Sequence, residues 1–301
     1  MKILLVANKT YRGLPDSILW YFWEPMVKLG HEVYLYDTVE GSEDGDFITV
    51  TQGFSPDLIF CITTGNKFIT PYEPWDELLY ITQKGDIKTF NWFCDDTWRF
   101  DDFSSKACSH FTVCSTPERS YIEKYKAIGY ENIIAANWHA NLEWYPKIDF
   151  EDKQFDTSFI GAPNASREQF FNAANVEITY LHGLSQRELF EAYSNSKISV
   201  NLSVNNNDPD KKTQMKQRLF EIPAGSGLLI TEYHEGLEEY YEIEKEVVTF
   251  STTDEFREKM DFLRKHPQIV EKIAMAGHER FTKEHDSKIR LEKVLKEIMN
   301  I

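Results

Sequence analysis

Apolar positions in the first half of the chain fall into short continuous runs, separated by longer stretches with helical spacing. Lys2–Ala7 is the first run, and a polar turn over residues 8–13, ending in Gly13, follows it. Between residues 15 and 29 the apolar side chains recur at helical intervals, and Gly30 stands where a glycine C-cap belongs. Residues 31–37, 57–63, 88–93, 110–114 and 132–137 read as further strands, with a helix from Pro117 to about Ile128 closed by Gly129. Apolar strands alternating with helices predict a parallel sheet covered on both faces.

The pattern lapses into charged, non-periodic residues over 147–154, which predicts a domain break there, with domains at 1–148 and 149–301. Alternation then resumes. Strands are expected at 157–160, 177–181, 198–202, 228–231 and 246–250. Helices are expected at 167–175, 185–194, 214–223, 254–265, 267–283 and 287–299, the last of them free to pack back on the first domain. Ser185 with Glu188 three residues on forms a capping box. The expected fold class is therefore α/β, with two Rossmann-like, doubly wound domains. Such folds bind ligands at the carboxyl ends of their strands, and two of them facing each other make a cleft.

Composition narrows the function. The 301 residues are 42% apolar and carry a net charge of −16, with each half acidic in its own right. Nucleic acid is thereby disfavoured as a partner, since phosphate binding draws on basic surfaces. No run approaches the roughly 20 apolar residues of a membrane span, and the N-terminal apolar run is too short for a signal peptide, so a cytoplasmic protein is expected. Four cysteines show no paired spacing and predict buried thiols. Neither a GxGxxG fingerprint, a P-loop nor a GxSxG elbow occurs, and the eight histidines show no metal-binding spacing, so no metal and no cofactor are expected.

The informative stretch is residues 216–232, KQRLFEIPAGSGLLITE. Spacings of three place Arg218 and Glu221 on one helical face. That face serves either as a surface ion pair or as a clamp in which cations meet phosphates and the carboxylate meets ribose hydroxyls. The segment resembles the C-terminal signature of glycosyltransferases of the GT-B fold, most closely the CgeB-like, group 1 type. His266-Pro267, the Ala-x-x-Gly-x-x-Arg run from Ala274 to Arg280, and His285 with Arg290 extend the likeness.

That resemblance implies a nucleoside-diphosphate sugar as donor and a hydroxyl-bearing carbohydrate or other molecule as acceptor. It makes Glu221 the ribose contact, Arg167 with Lys216 or Arg218 the diphosphate contacts, and His182 a neighbour of the base. The turn at Gly225 would bring backbone amides to the ligand, and Arg12 with Gly13 would close over the donor from the acceptor side. Thr213 stands where the signature has a first glutamate. Asp95 and Asp96 follow the strand at 88–93 and are candidates for the base that deprotonates the acceptor. Asp208-Pro209-Asp210 spells a metal-binding D-x-D, read here as a solvated loop. Two rivals remain: a phage-type enzyme acting on a modified DNA base, and a non-catalytic protein that binds nucleotide sugars.

Overall fold

The computed structural model describes residues 1–11, 13–204 and 212–301. They form two compact units, Met1–Asn137 together with Ser287–Ile301, and Trp138–Asp286. Each is a sheet with helices on its faces.

The first unit's strands are β1 (Lys2–Ala7), a small hairpin of β2 (Thr10–Tyr11) and β3 (Leu14–Pro15), β4 (Glu32–Asp37), β5 (Leu58–Cys61), β6 (Lys88–Trp92), β7 (Val113–Thr116) and β8 (Ile133–Ala135). Six of these pair in parallel in the order β4-β1-β5-β6-β7-β8. The chain moves from β1 to β4 on one side and then to β5 on the other, so the order reverses beside β1. The helices are α1 (Glu24–Lys28), α2 (Phe47–Phe54), α3 (Trp75–Lys84), α4 (Asp96–Arg99), α5 (Ser105–Ala107) and α6 (Ile122–Ala127).

Gly30 adopts φ +84° and its amide bonds the Val27 carbonyl while that of His31 bonds Met26, a Schellman close to α1. The expected helix at 15–29 is instead a π-helical turn, Leu19–Trp23, running into α1. Phe22, Phe60 and Trp92 pack ring to ring on one face of the sheet. The other face buries Val6, Ile59, Phe93, Cys114 and Tyr125.

The second unit repeats the plan with β9 (Phe155–Ile160), β10 (Thr179–Leu181), β11 (Ser196–Asn201), β12 (Leu228–Glu232) and β13 (Val248–Phe250), all parallel in the order β10-β9-β11-β12-β13. Its helices are α7 (Ala165–Ala174), α8 (Gln186–Ser194), α9 (Arg218–Ala224), α10 (Thr253–Lys265) and α11 (Pro267–Glu284). The capping box of Ser185 and Glu188 opens α8. Here the order reverses between β9 and β11.

Lys153 is buried, and its ammonium donates to the carbonyls of Ser194 at 2.5 Å and Gly225 at 2.8 Å. One cation thus serves the negative ends of α8 and α9, where helix dipoles favour it. Burial lowers its pKa to about 8. A final helix, α12 (Ser287–Asn300), belongs to the first unit. It buries Leu291, Val294, Leu295 and Ile298, touches α1, and its Met299 carbonyl accepts a hydrogen bond from Lys88.

Candidate nucleotide-sugar site

Reversal of strand order opens a crevice at the carboxyl ends of a doubly wound sheet, because the loops on either side leave in opposite directions. In the second unit that crevice lies between Ile160, which ends β9, and Asn201, which ends β11. Arg218, the first residue of α9, spans it. Its Nε donates to the Ile160 carbonyl at 3.0 Å and one terminal nitrogen to Asn201 Oδ1 at 3.1 Å.

Arg167, in the first turn of α7, donates to the Ala162 carbonyl, and both guanidinium groups lie 5.3 Å from the Phe159 ring. Asn164 caps α7, its side chain accepting from the Arg167 amide at 3.0 Å. Gly161 separates the two cations. A Cβ there would stand 3.0 Å from an Arg218 nitrogen and 3.4 Å from one of Arg167. Burial and the neighbouring Arg218 charge both lower the Arg167 pKa. Neither guanidinium is bridged to a carboxylate among the described residues. Two like charges held together with no carboxylate bridging them among the described residues match a polyanion in charge and fork geometry.

Glu221 lies one turn beyond Arg218 on α9 and is 6% exposed. That face is therefore not a solvent-exposed surface pair. Its carboxylate accepts a hydrogen bond from the phenol of Tyr193, a wholly buried residue whose pKa is raised by burial and by the Glu221 charge. Lys216 precedes the helix, in a turn rather than in its body, and its charge acts on Glu232. His182 is exposed beyond β10, its ring 6.3 Å from that of Tyr180, whose hydroxyl reaches the Ala162 carbonyl. Thr213 bonds the ring of His234 at 2.9 Å.

Gly225 differs from expectation. It is buried, and a Cβ on it would meet the backbone of Tyr193 at 2.7 Å and of Ser194 at 2.9 Å. Its amide bonds the Glu221 carbonyl. The residue allows α9 to approach α8 and does not offer an amide to a ligand.

In the first unit Gly13 turns the β2–β3 hairpin at φ +77° in open space. Arg12 and the Asp208-Pro209-Asp210 motif lie outside the described residues. Asp95 and Asp96 do follow the inner strand β6, but their environments diverge. Asp95 is partly exposed at the start of α4. Asp96 is wholly buried, with a hydrogen bond from the Tyr125 hydroxyl at 3.0 Å and the hydroxyls of Thr116 and Ser104 beside it. Burial pushes its pKa up to about 6. The core keeps it from an acceptor hydroxyl, which corrects its reading as a base. Arg99 pairs with neither, donating to the Thr64 carbonyl and lying over Phe103. Trp92, which ends β6, is core.

The residues that complete the crevice and were not singled out from sequence are Phe159, Gly161, Asn201 and Tyr193.

Residues 148–296 match the glycosyl transferase-like family. Solved structures with the GT-B fold align along the whole chain at low identity. A glycosyltransferase from Rickettsia africae superposes with a TM-score of 0.67 at 9% identity, covering 99% of this chain and 98% of that one. Anabaena Alr3699/HepE in complex with UDP-glucose gives 0.67 at 11%, with both chains covered in full. T4 phage BGT in complex with its UDP-glucose substrate gives 0.65 at 10%, again over both full chains. A search of curated protein sequences finds no match. The chain thus has the GT-B fold, with the glycosyl transferase-like segment beginning shortly before β9 and carrying both arginines. Among the described residues no helix is long and apolar enough to cross a membrane.

Proposed function

We propose that this chain is a glycosyltransferase that moves a sugar from a nucleoside-diphosphate donor to a hydroxyl acceptor. The observation that carries this reading is the pair Arg167 and Arg218, held against Gly161 at the reversal of strand order with no carboxylate bridging them among the described residues. A diphosphate matches that pair in charge and in fork geometry. The leaving diphosphate gains negative charge as the glycosidic bond breaks, so fixed cations stabilise it more as the reaction proceeds. In this reading Glu221, one turn away and hydrogen-bonded by Tyr193, accepts from ribose hydroxyls. Structures similar in fold were solved with UDP or UDP-glucose, which makes these the probes of choice.

On the acceptor side Asp95 is the member of the doublet that solvent can reach, and it is the candidate base. With two guanidinium charges on the diphosphate no divalent ion is needed there, and turnover is expected to persist in EDTA.

Calorimetric titration with UDP tests the reading. Arg167→Ala removes a partly exposed side chain without opening the core, and should weaken UDP by about ten- to a hundredfold, the worth of a charged hydrogen bond. Unchanged affinity in a folded variant would refute the assignment.

A further inference from the structure

Glu232 ends β12, the strand next to β11, and so stands one strand over from the crevice spanned by Arg218. Its Oε2 accepts two backbone amides, from Ser203 at 2.5 Å and Val204 at 3.0 Å. Its Oε1 takes no hydrogen bond among the described residues. The side chain is partly exposed. A continuous polar chain ties it to the cations: Arg218 donates to Asn201 Oδ1, Asn201 Nδ2 donates to Ser203 Oγ at 3.0 Å, and the Ser203 amide donates to Glu232. Burial raises the Glu232 pKa, and the two amides and the Lys216 charge oppose that rise.

A carboxylate with one oxygen clamped by backbone and the other open is an acceptor fixed in advance. It loses no side-chain freedom when a donor arrives. A sugar attached to a diphosphate presents hydroxyl groups within a few ångströms of the phosphates. We propose that Glu232 accepts hydrogen bonds from the hydroxyls of the donor sugar and thereby sets which sugar the protein takes, an inference that rests on the nucleotide-sugar reading above. Glu232 would touch the part of the donor that UDP lacks.

The experiment compares UDP with UDP-glucose on the wild type and on Glu232→Gln. The Gln carbonyl oxygen can still accept from Ser203 and Val204, so the loop keeps its anchor. UDP affinity should stay within twofold, while UDP-glucose binding falls about tenfold, the scale of one charge-assisted hydrogen bond. Equal losses for both ligands, or none for either, would overturn the proposal while leaving the diphosphate site standing. Should the variant fail to fold, wild-type protein decides the matter with UDP-glucose against its 2-, 3-, 4- and 6-deoxy analogues. At least one deoxy donor must bind about tenfold more weakly, and equal binding of all overturns the proposal. A wild type that binds neither UDP nor UDP-glucose would bring down the nucleotide-sugar reading and this inference with it.

Discussion

Two adjacent carboxylates, Asp95 and Asp96, show how far a residue's chemistry departs from its place in the sequence. Both follow an inner strand, but only Asp95 meets solvent, because α4 turns Asp96 down onto Tyr125. Nothing in the local pattern separates the two, since the partners of Asp96 come from elements 8 to 29 residues further on. An acid whose pKa is raised on folding contributes its stability below the unfolded value near 4. That contribution is lost as pH climbs through about 6. At pH 7 the ionised group therefore costs about 3 kcal/mol, by the usual 1.4 kcal/mol per pKa unit. Asp96→Asn keeps the acceptor for Tyr125 and removes the charge. It should stabilise the protein at pH 7 by about 1–3 kcal/mol, and the gain should vanish near pH 4. Urea unfolding at the two pH values checks this; a gain of equal size at both would contradict the burial of an ionised carboxylate. Glu221 gives the complementary lesson. Its spacing from Arg218 was legible, but its burial against Tyr193 was not, because Tyr193 lies 28 residues upstream on another helix.

At the scale of elements, the second unit was the more legible of the two. Its helices carry caps at Ser185 and Thr252, and the expected boundaries fall within a few residues of those observed. In the first unit α2 and α3 were not foreseen. The segment after β6 mixes α, π and 3-10 turns from Asp96 to His110. Changing residues per turn erases the 3.6-residue rhythm that would announce a helix. Gly225 was read as a ligand contact because a glycine near a phosphate motif invites that reading, whereas close helix packing leaves the same trace in sequence. The packing account makes a distinct prediction. Gly225→Ala forces a methyl onto the Tyr193–Ser194 backbone, which cannot yield as a flexible side chain would. The variant should lose about 1–3 kcal/mol of stability, read by thermal denaturation. A ligand-contact role would instead leave stability intact and weaken UDP alone.

For the whole molecule, the two units are not two consecutive halves. The first needs α12, whose Leu291, Val294, Leu295 and Ile298 are buried in it, while Arg167, Arg218, Glu221 and Glu232 all lie in the second. Removing Ser287–Ile301 should therefore lower the melting of the first unit and leave UDP affinity within about twofold, as calorimetry and titration can show. Loss of UDP binding on truncation would mean that the donor site draws on α12. The same arrangement has a consequence for synthesis on the ribosome. Once Asn137 has been made, the six strands of the first sheet all exist, but the helix that packs on α1 is still 150 residues away. At about 5–20 residues per second this interval lasts on the order of ten to thirty seconds. Throughout it the second unit can complete itself, whereas the first emerges with an apolar flank uncovered. The nascent chain thus offers chaperones a defined binding window, and codons that slow translation between residues 138 and 286 would lengthen it.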